Sequence, residues 1–162
     1  KSLEAKNMFR LAFHGGPAVE VLSFQGKNPL EKWKKEGSAI NKAYSKETKS
    51  SVFTLGTTSK IQLPIDEKQP LGLLQHFLVM QIYVPSTTNN LHIEMAFTDK
   101  SGSKRRVILH SGAKELVINQ LHARVPVTSI RRNIWLNLSI DLFAFAEACF
   151  PESGWRQLDF IQ

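Results

Sequence analysis

Apolar and polar residues trade places along residues 91–98, and that period of two constrains the fold more than any other feature of the chain. Leu91, Ile93, Met95 and Phe97 alternate with His92, Glu94 and Thr98. An α-helix would scatter those four apolar side chains around its circumference, whereas a strand gathers them on one face. Ile134, Leu136, Leu138 and Ile140 repeat the pattern against Asn137, Ser139 and Asp141. Residues 77–84 are nearly continuously apolar, which predicts a central strand covered on both sides. Further strands are expected at residues 18–24, 51–55, 61–63, 106–110, 123–127 and 155–161.

Turn signals separate these runs. Residues 85–90 and the Gly102-containing stretch 99–103 each join two strands, so residues 77–110 read as an antiparallel meander. Gly15, Gly16, Pro17 and Gly56 mark other breaks. Two helical pieces interrupt the strands. Residues 28–37 offer an N-cap candidate in Asn28, Pro29 at the first helical position and Glu31 three residues after the cap, which predicts a helix of a turn or two. Residues 141–150 place Leu142, Phe145 and Cys149 along one side of a helix that Pro151 closes. The expected fold is all-β, an antiparallel β-sandwich with one or two short helices.

A chain of 162 residues, 42% of them hydrophobic, has the size and apolar content of one domain, read as residues 8–162 after an extension or scar at 1–7. No apolar run reaches the roughly 20 residues that span a bilayer as a helix, and the polar, basic start lacks the apolar core of a secretory signal. A single cysteine, Cys149, excludes an internal disulfide.

The residue pattern contains no recognisable catalytic constellation. His14, His76, His92, His110 and His122 are too widely spaced to suggest a metal site, and His92 and His110 are expected on solvent-facing strand positions. No nucleophile elbow or nucleotide-binding loop occurs, and Cys149 reads as a buried, inert hydrophobe. A noncatalytic protein without metal or cofactor is therefore expected. Trp135 falls on the polar side of its strand, either as a stacking platform or, the preferred reading, as filler of a second core. Trp33 lies among Lys32, Lys34 and Lys35, which suggests a surface, yet Leu30 three residues earlier offers it a buried stripe.

Charge is lopsided. Between Asp99 and Arg132 the chain carries eight Lys or Arg residues against two acids, which accounts for most of its formal net charge of +7. Lys104, Arg105 and Arg106 stand at the start of one strand, and Arg131 and Arg132 at the start of another. Neighbours on a strand point to opposite faces, so in each cluster one arginine is expected to reach solvent while another projects from an edge or forms an ion pair. The readings open at this point are a solvated rim, a nuclear import signal, and a docking surface for an acidic polymer or protein.

The chain resembles the family of cilia- and flagella-associated protein twenty. Gly26, Lys27, Asn28, Pro29 and Leu30 with Trp33 carry the likeness, followed by Ile61, Gln62, Leu63 and Pro64, then Leu71 and Gly72. Residues 77–80, the cluster at Lys104, and residues 134–138 with Asp141, Leu142 and Phe145 continue it. The wording at residues 25–29, 81–85 and 121–123 is most similar to a larger member that contains the domain. The resemblance implies a jelly-roll-like sandwich and a place in the cytoplasm and cytoskeleton, at the ciliary axoneme or basal body. It implies tubulin and neighbouring axonemal proteins as partners, including at the inner junction of the microtubule doublet. Lys104, Arg105, Arg106, Arg131 and Arg132 are then the expected microtubule contacts, with Lys32, Lys34 and Lys35 as additional ones. It also implies a further basic strand beyond Gln162, and so an open edge through which the domain self-associates. The competing readings are a nucleic-acid-binding module using the same cations and, by analogy of shape, a carbohydrate-binding sandwich.

Overall fold

The computed structural model describes residues 17–24, 26–88 and 90–162. The extension at 1–7 and the break at Gly15 and Gly16 lie outside the described residues. In chain order the strands are β1 (Lys34–Glu36), β2 (Ile40–Ser45), β3 (Ser50–Leu55), β4 (Lys60–Gln62), β5 (Phe77–Tyr83), β6 (His92–Thr98), β7 (Lys104–His110), β8 (Val117–Ile118), β9 (His122–Pro126) and β10 (Trp135–Asp141). Helix α1 (Leu142–Cys149) and β11 (Gln157–Ile161) follow.

The fold is an all-β sandwich. Its main layer is a five-stranded sheet in the order β11, β6, β7, β9, β8; β5 with β10, β2 with β3, and β1 with β4 form antiparallel pairs. The alternation in β6 does what its period requires, since Ile93, Met95 and Phe97 are buried. They meet Val107, Leu109, Ala123 and Leu158 from the same sheet, Leu78 and Ile140 from β5 and β10, and Leu142, Ala146 and Cys149 from α1 in one apolar cluster. The helix begins where the sequence placed it. Asp141 caps it by accepting a 2.9 Å bond from the Ala144 N–H.

Several expectations are corrected. β5 is not covered on both sides: Leu78 is buried, but Phe77, Val79 and Tyr83 face solvent, because among the described residues no layer covers that side of the β5–β10 pair. The meander is broken because β6 pairs antiparallel with β7 while β5 pairs with β10 in another sheet. The sheet is also not wholly antiparallel. β7 and β9 run parallel, with β8 supplying the return path between them.

Residues 28–37 form no helix. Two successive turns, Glu31 N–H to the Asn28 carbonyl and Trp33 N–H to the Leu30 carbonyl, both 3.1 Å, lead directly into β1. Nucleating so short a helix is costly, and the ladder with β4 satisfies the backbone instead. Trp33 takes the buried alternative beside Leu30, and its indole N–H donates to the Val21 carbonyl at 3.2 Å. That carbonyl belongs to residues 18–24, which form no strand. Val19, Val21 and Leu22 pack against the core from irregular chain, and Phe24 rests on Phe53 with ring centroids 5.2 Å apart. Trp135 is half-buried against Tyr83 across the β5–β10 pair at 5.6 Å, outside the core cluster.

The final strand does not present an open edge. β11 pairs with β6 on one side, and on the other Leu63 and Ile161 exchange backbone bonds of 2.8 and 2.9 Å, as Leu73 and Leu158 do at 3.0 and 2.7 Å.

Candidate docking face

Strand register decides where the cations go. Thr98 pairs with Lys104, Ala96 with Arg106, Glu94 with Ile108 and His92 with His110. Arg106 in turn lies beside His122, and Ile108 beside Arg124. Paired residues share a face, so Lys104, Arg106, His122 and Arg124 stand together on the outer side of the five-stranded sheet, away from the core. Arg105, one residue out of step, projects from the inner side at the rim.

Arg105 is a structural clamp. Its Nε donates at 2.9 Å to Asp99, whose side chain is fully buried. A second guanidinium nitrogen donates to the Gln120 carbonyl, and the group lies 5.3 Å above the Phe150 ring. Asp99 also accepts from the Ser101 hydroxyl at 2.6 Å and the Ser103 N–H at 2.8 Å. Burial pushes its carboxyl up, but the Ser101 hydroxyl, Arg105 and the Ser103 N–H together outweigh burial and hold it below its ordinary value.

Arg106 faces solvent yet is occupied as well. It bonds Glu94 on the neighbouring strand and Glu67 at 3.2 Å, and covers the Phe160 ring at 5.3 Å. Arg106, Glu67 and Phe160, with Lys104, His122 and the buried Asp159, line a cleft of about 240 Å³. Asp159 accepts from the Thr98 hydroxyl and, at 2.6 Å, from the Gln157 amide.

The outer face is consequently polarised. Its acids, Glu94 and Asp159, belong to β6 and β11 and are joined there by Glu67. Its cations occupy β7 and β9. Lys104 and Arg124 form no ion pair among the described residues, and neither does Lys114 in the connection to β8. His92 and His110 meet edge to face at 5.7 Å at the far end, where His92 Nε2 lies 3.5 Å from Glu94. His92 is solvent-facing as expected, and His110 is partly shielded.

The five expected contact residues do not form one patch. Arg132 donates to the Pro85 carbonyl at 3.1 Å and to the Thr88 carbonyl, sealing the connection between β5 and β6. That connection meets the sheet near Leu91 and Ser111, at the end of β7 opposite Lys104, about 20 Å away at roughly 3.3 Å per residue. Arg131 is exposed there. Lys32, Lys34 and Lys35 lie on or beside the separate β1–β4 pair, where Lys34 and Lys60 both bridge Glu36, at 2.7 and 2.9 Å. The Glu36 hydrogen bonds and charge raise the Lys34 pKa, and the bonds from Lys34 and Lys60 lower that of Glu36. Sequence reasoning missed Arg124 and His122, which only the parallel register of β9 brings beside β7.

Among the described residues no cluster of His, Cys, Asp or Glu is placed to hold a metal, and no helix is long and apolar enough to cross a membrane. Cys149 is buried and free, and burial raises its thiol pKa.

Fold and face together define a β-sandwich domain with one charge-polarised sheet surface. The family model described as the CFA20 domain matches residues 8–162, and the chain belongs to that family. Membership suggests a role associated with cilia and flagella.

Proposed function

We propose that this chain is a noncatalytic microtubule-associated domain of the ciliary axoneme or centriole, and that it docks on the acidic surface of tubulin through the β7–β9 half of its outer sheet face. The observation that carries this reading is the gathering of Lys104, Arg106, His122 and Arg124 on one face, with Lys104 and Arg124 free of ion pairs among the described residues. Lys114, in the connection to β8, adds to this positive charge, and Arg131 is a separate exposed cation at the far end of β7. Arg105 and Arg132 support the contact indirectly, by fixing the turn, hairpin and loop that bound the sheet. Opposite potentials steer association and fix orientation, and such contacts weaken as salt screens them. Pelleting with stabilised microtubules tests the reading. Wild type is expected to co-sediment at low salt, and Lys104→Glu/Arg124→Glu/Arg131→Glu to lose most of that binding while keeping its melting temperature. Undiminished binding by the triple variant removes these cations from the contact.

The nucleic-acid reading calls for stacking aromatics within reach of the cations. Trp135 lies on β10 in the other sheet, and Phe160 is buried beneath Arg106. Microtubule docking is therefore the better-supported use of this face.

A further inference from the structure

The two edges of the five-stranded sheet are treated differently. The β11 edge is covered by residues 63–73, which bond it at Leu63, Leu71 and Leu73. The opposite edge is β8, and among the described residues no strand pairs with its outer side. Natural sheets blunt bare edges with short strands, charge, proline or a bulge. This one is short, at two residues, but it and its flanks carry Leu116, Val117, Ile118 and Leu121, which are 54, 50, 43 and 43% exposed.

The backbone of this edge is held ready in extended form. β8 and β9 make a tight hairpin: the Asn119 N–H donates to the His122 carbonyl at 2.8 Å, and the Asn119 side chain accepts from the Leu121 and His122 N–H groups at 3.0 and 2.8 Å. Arg105, anchored on buried Asp99, grips the Gln120 carbonyl at the tip. With Asn119 bonded inward, alternation turns the N–H and C=O of Ile118 outward.

We propose that β8 receives an extended segment of another protein as an added strand, and that this segment is apolar on alternate residues and acidic between them. Main-chain bonds to Ile118 supply the pairing, and the side chains of Leu116, Val117 and Ile118 supply the apolar contact. The acidic character follows from the surroundings. Arg124 is paired with Val117 on the same face, Lys114 lies just ahead of the strand, and neither has an ion-pair partner among the described residues; Glu115 is the local acid. A second copy fits less well. The chain carries a formal charge of +7, so pairing two of these edges brings like charges together, and a two-residue strand falls far short of the roughly 1,600 Å² of a standard interface. This edge adjoins the proposed tubulin contact and shares Arg124 and Lys114 with it, but its main-chain pairing at Ile118 is no part of that contact, so Ile118→Pro separates the two.

The test uses a fluorescein-labelled peptide of alternating valine and glutamate, titrated by anisotropy with the full chain. Saturable binding is expected, with at least tenfold weaker binding to Ile118→Pro, which removes the outward N–H without touching a bond to β9. A peptide N-methylated on its valines, and one with lysine in place of glutamate, are each expected to bind at least tenfold more weakly. Amide chemical-shift changes should centre on residues 116–121. Ile118→Pro should melt within a few degrees of wild type and pellet with microtubules unchanged. The variant Val117→Lys, which keeps the backbone of the strand, provides a second reading should Ile118→Pro unfold. Equal binding by wild type and whichever of these variants folds overturns the proposal. So does equal binding of the N-methylated peptide, shifts centred on Lys104 and His122 instead, or a concentration-dependent dimer that the peptide does not dissociate.

Discussion

Arg105→Met separates an arginine that builds the sheet from those available to a partner. The substitution keeps most of the aliphatic stem but removes the guanidinium that lies over Phe150 and pairs with a fully buried carboxylate. Breaking a buried ion pair from one side costs about 3–5 kcal/mol. Here Arg105 sits at the rim with 17% of its side chain exposed, and Asp99 keeps its bonds from Ser101 and Ser103, so a cost below that range, about 2–3 kcal/mol, is expected. For a domain of this length that corresponds to a fall in melting temperature of about 5–10 °C. The pH dependence adds a signature. Asp99 is held below its ordinary pKa, so its contribution is fully present above the ordinary carboxylate range and is lost as pH falls through its folded value. Removing Arg105 raises that folded value, so the deficit of the variant is largest near neutrality and shrinks below about pH 4. Adding Asp99→Asn should recover part of the loss, since no buried charge is then left alone. The assay is thermal melting followed by circular dichroism at several pH values. A fall of less than about 2 °C at neutral pH, or a deficit that grows on acidification, refutes the clamp.

Trp33→Ala is expected to cost about 3–5 kcal/mol by denaturant titration and Trp33→Phe about 1–2, the smaller loss reflecting the orphaned Val21 carbonyl; both should speed proteolysis within residues 17–24. Gly37 has φ +87°, and an added Cβ would stand 2.7 Å from Ser59 Oγ and 2.9 Å from Ser59 Cα, so Gly37→Ala should destabilise by more than about 1 kcal/mol and lower the melting temperature by several degrees. Cys149 should react with a thiol reagent in native buffer only as fast as the domain opens, and at once in denaturant; full native reaction within the mixing time contradicts its burial.

Periodicity revealed the strands whose faces differ in polarity. β6 and β10 could be read because one side of each is apolar, and α1 because Leu142 and Cys149 share a side, Asp141 precedes them and Pro151 follows. β2 escaped notice because Ile40, Asn41, Lys42, Ala43, Tyr44 and Ser45 bury little on either side, and β8 because two residues are too few to show a period. β5 misled in the opposite direction, since its apolar outer face promised a cover that the fold leaves off. At the site, alternation correctly sent Arg105 and Arg106 to opposite faces. The acids that hold them could not be foreseen: Glu67 is 39 residues from Arg106 in sequence, and Glu94 meets it only through the β6–β7 register. Arg124 and His122 were hidden for a related reason, because a parallel neighbour leaves no local signal.

Electron cryomicroscopy of microtubules decorated with the domain shows which of its faces meets tubulin. Density is expected in which β7 and β9 turn their outer residues, Lys104 and Arg124 foremost, toward tubulin. A domain bound through the Phe77, Val79 and Tyr83 face of β5, with the five-stranded sheet pointing into solvent, would contradict it.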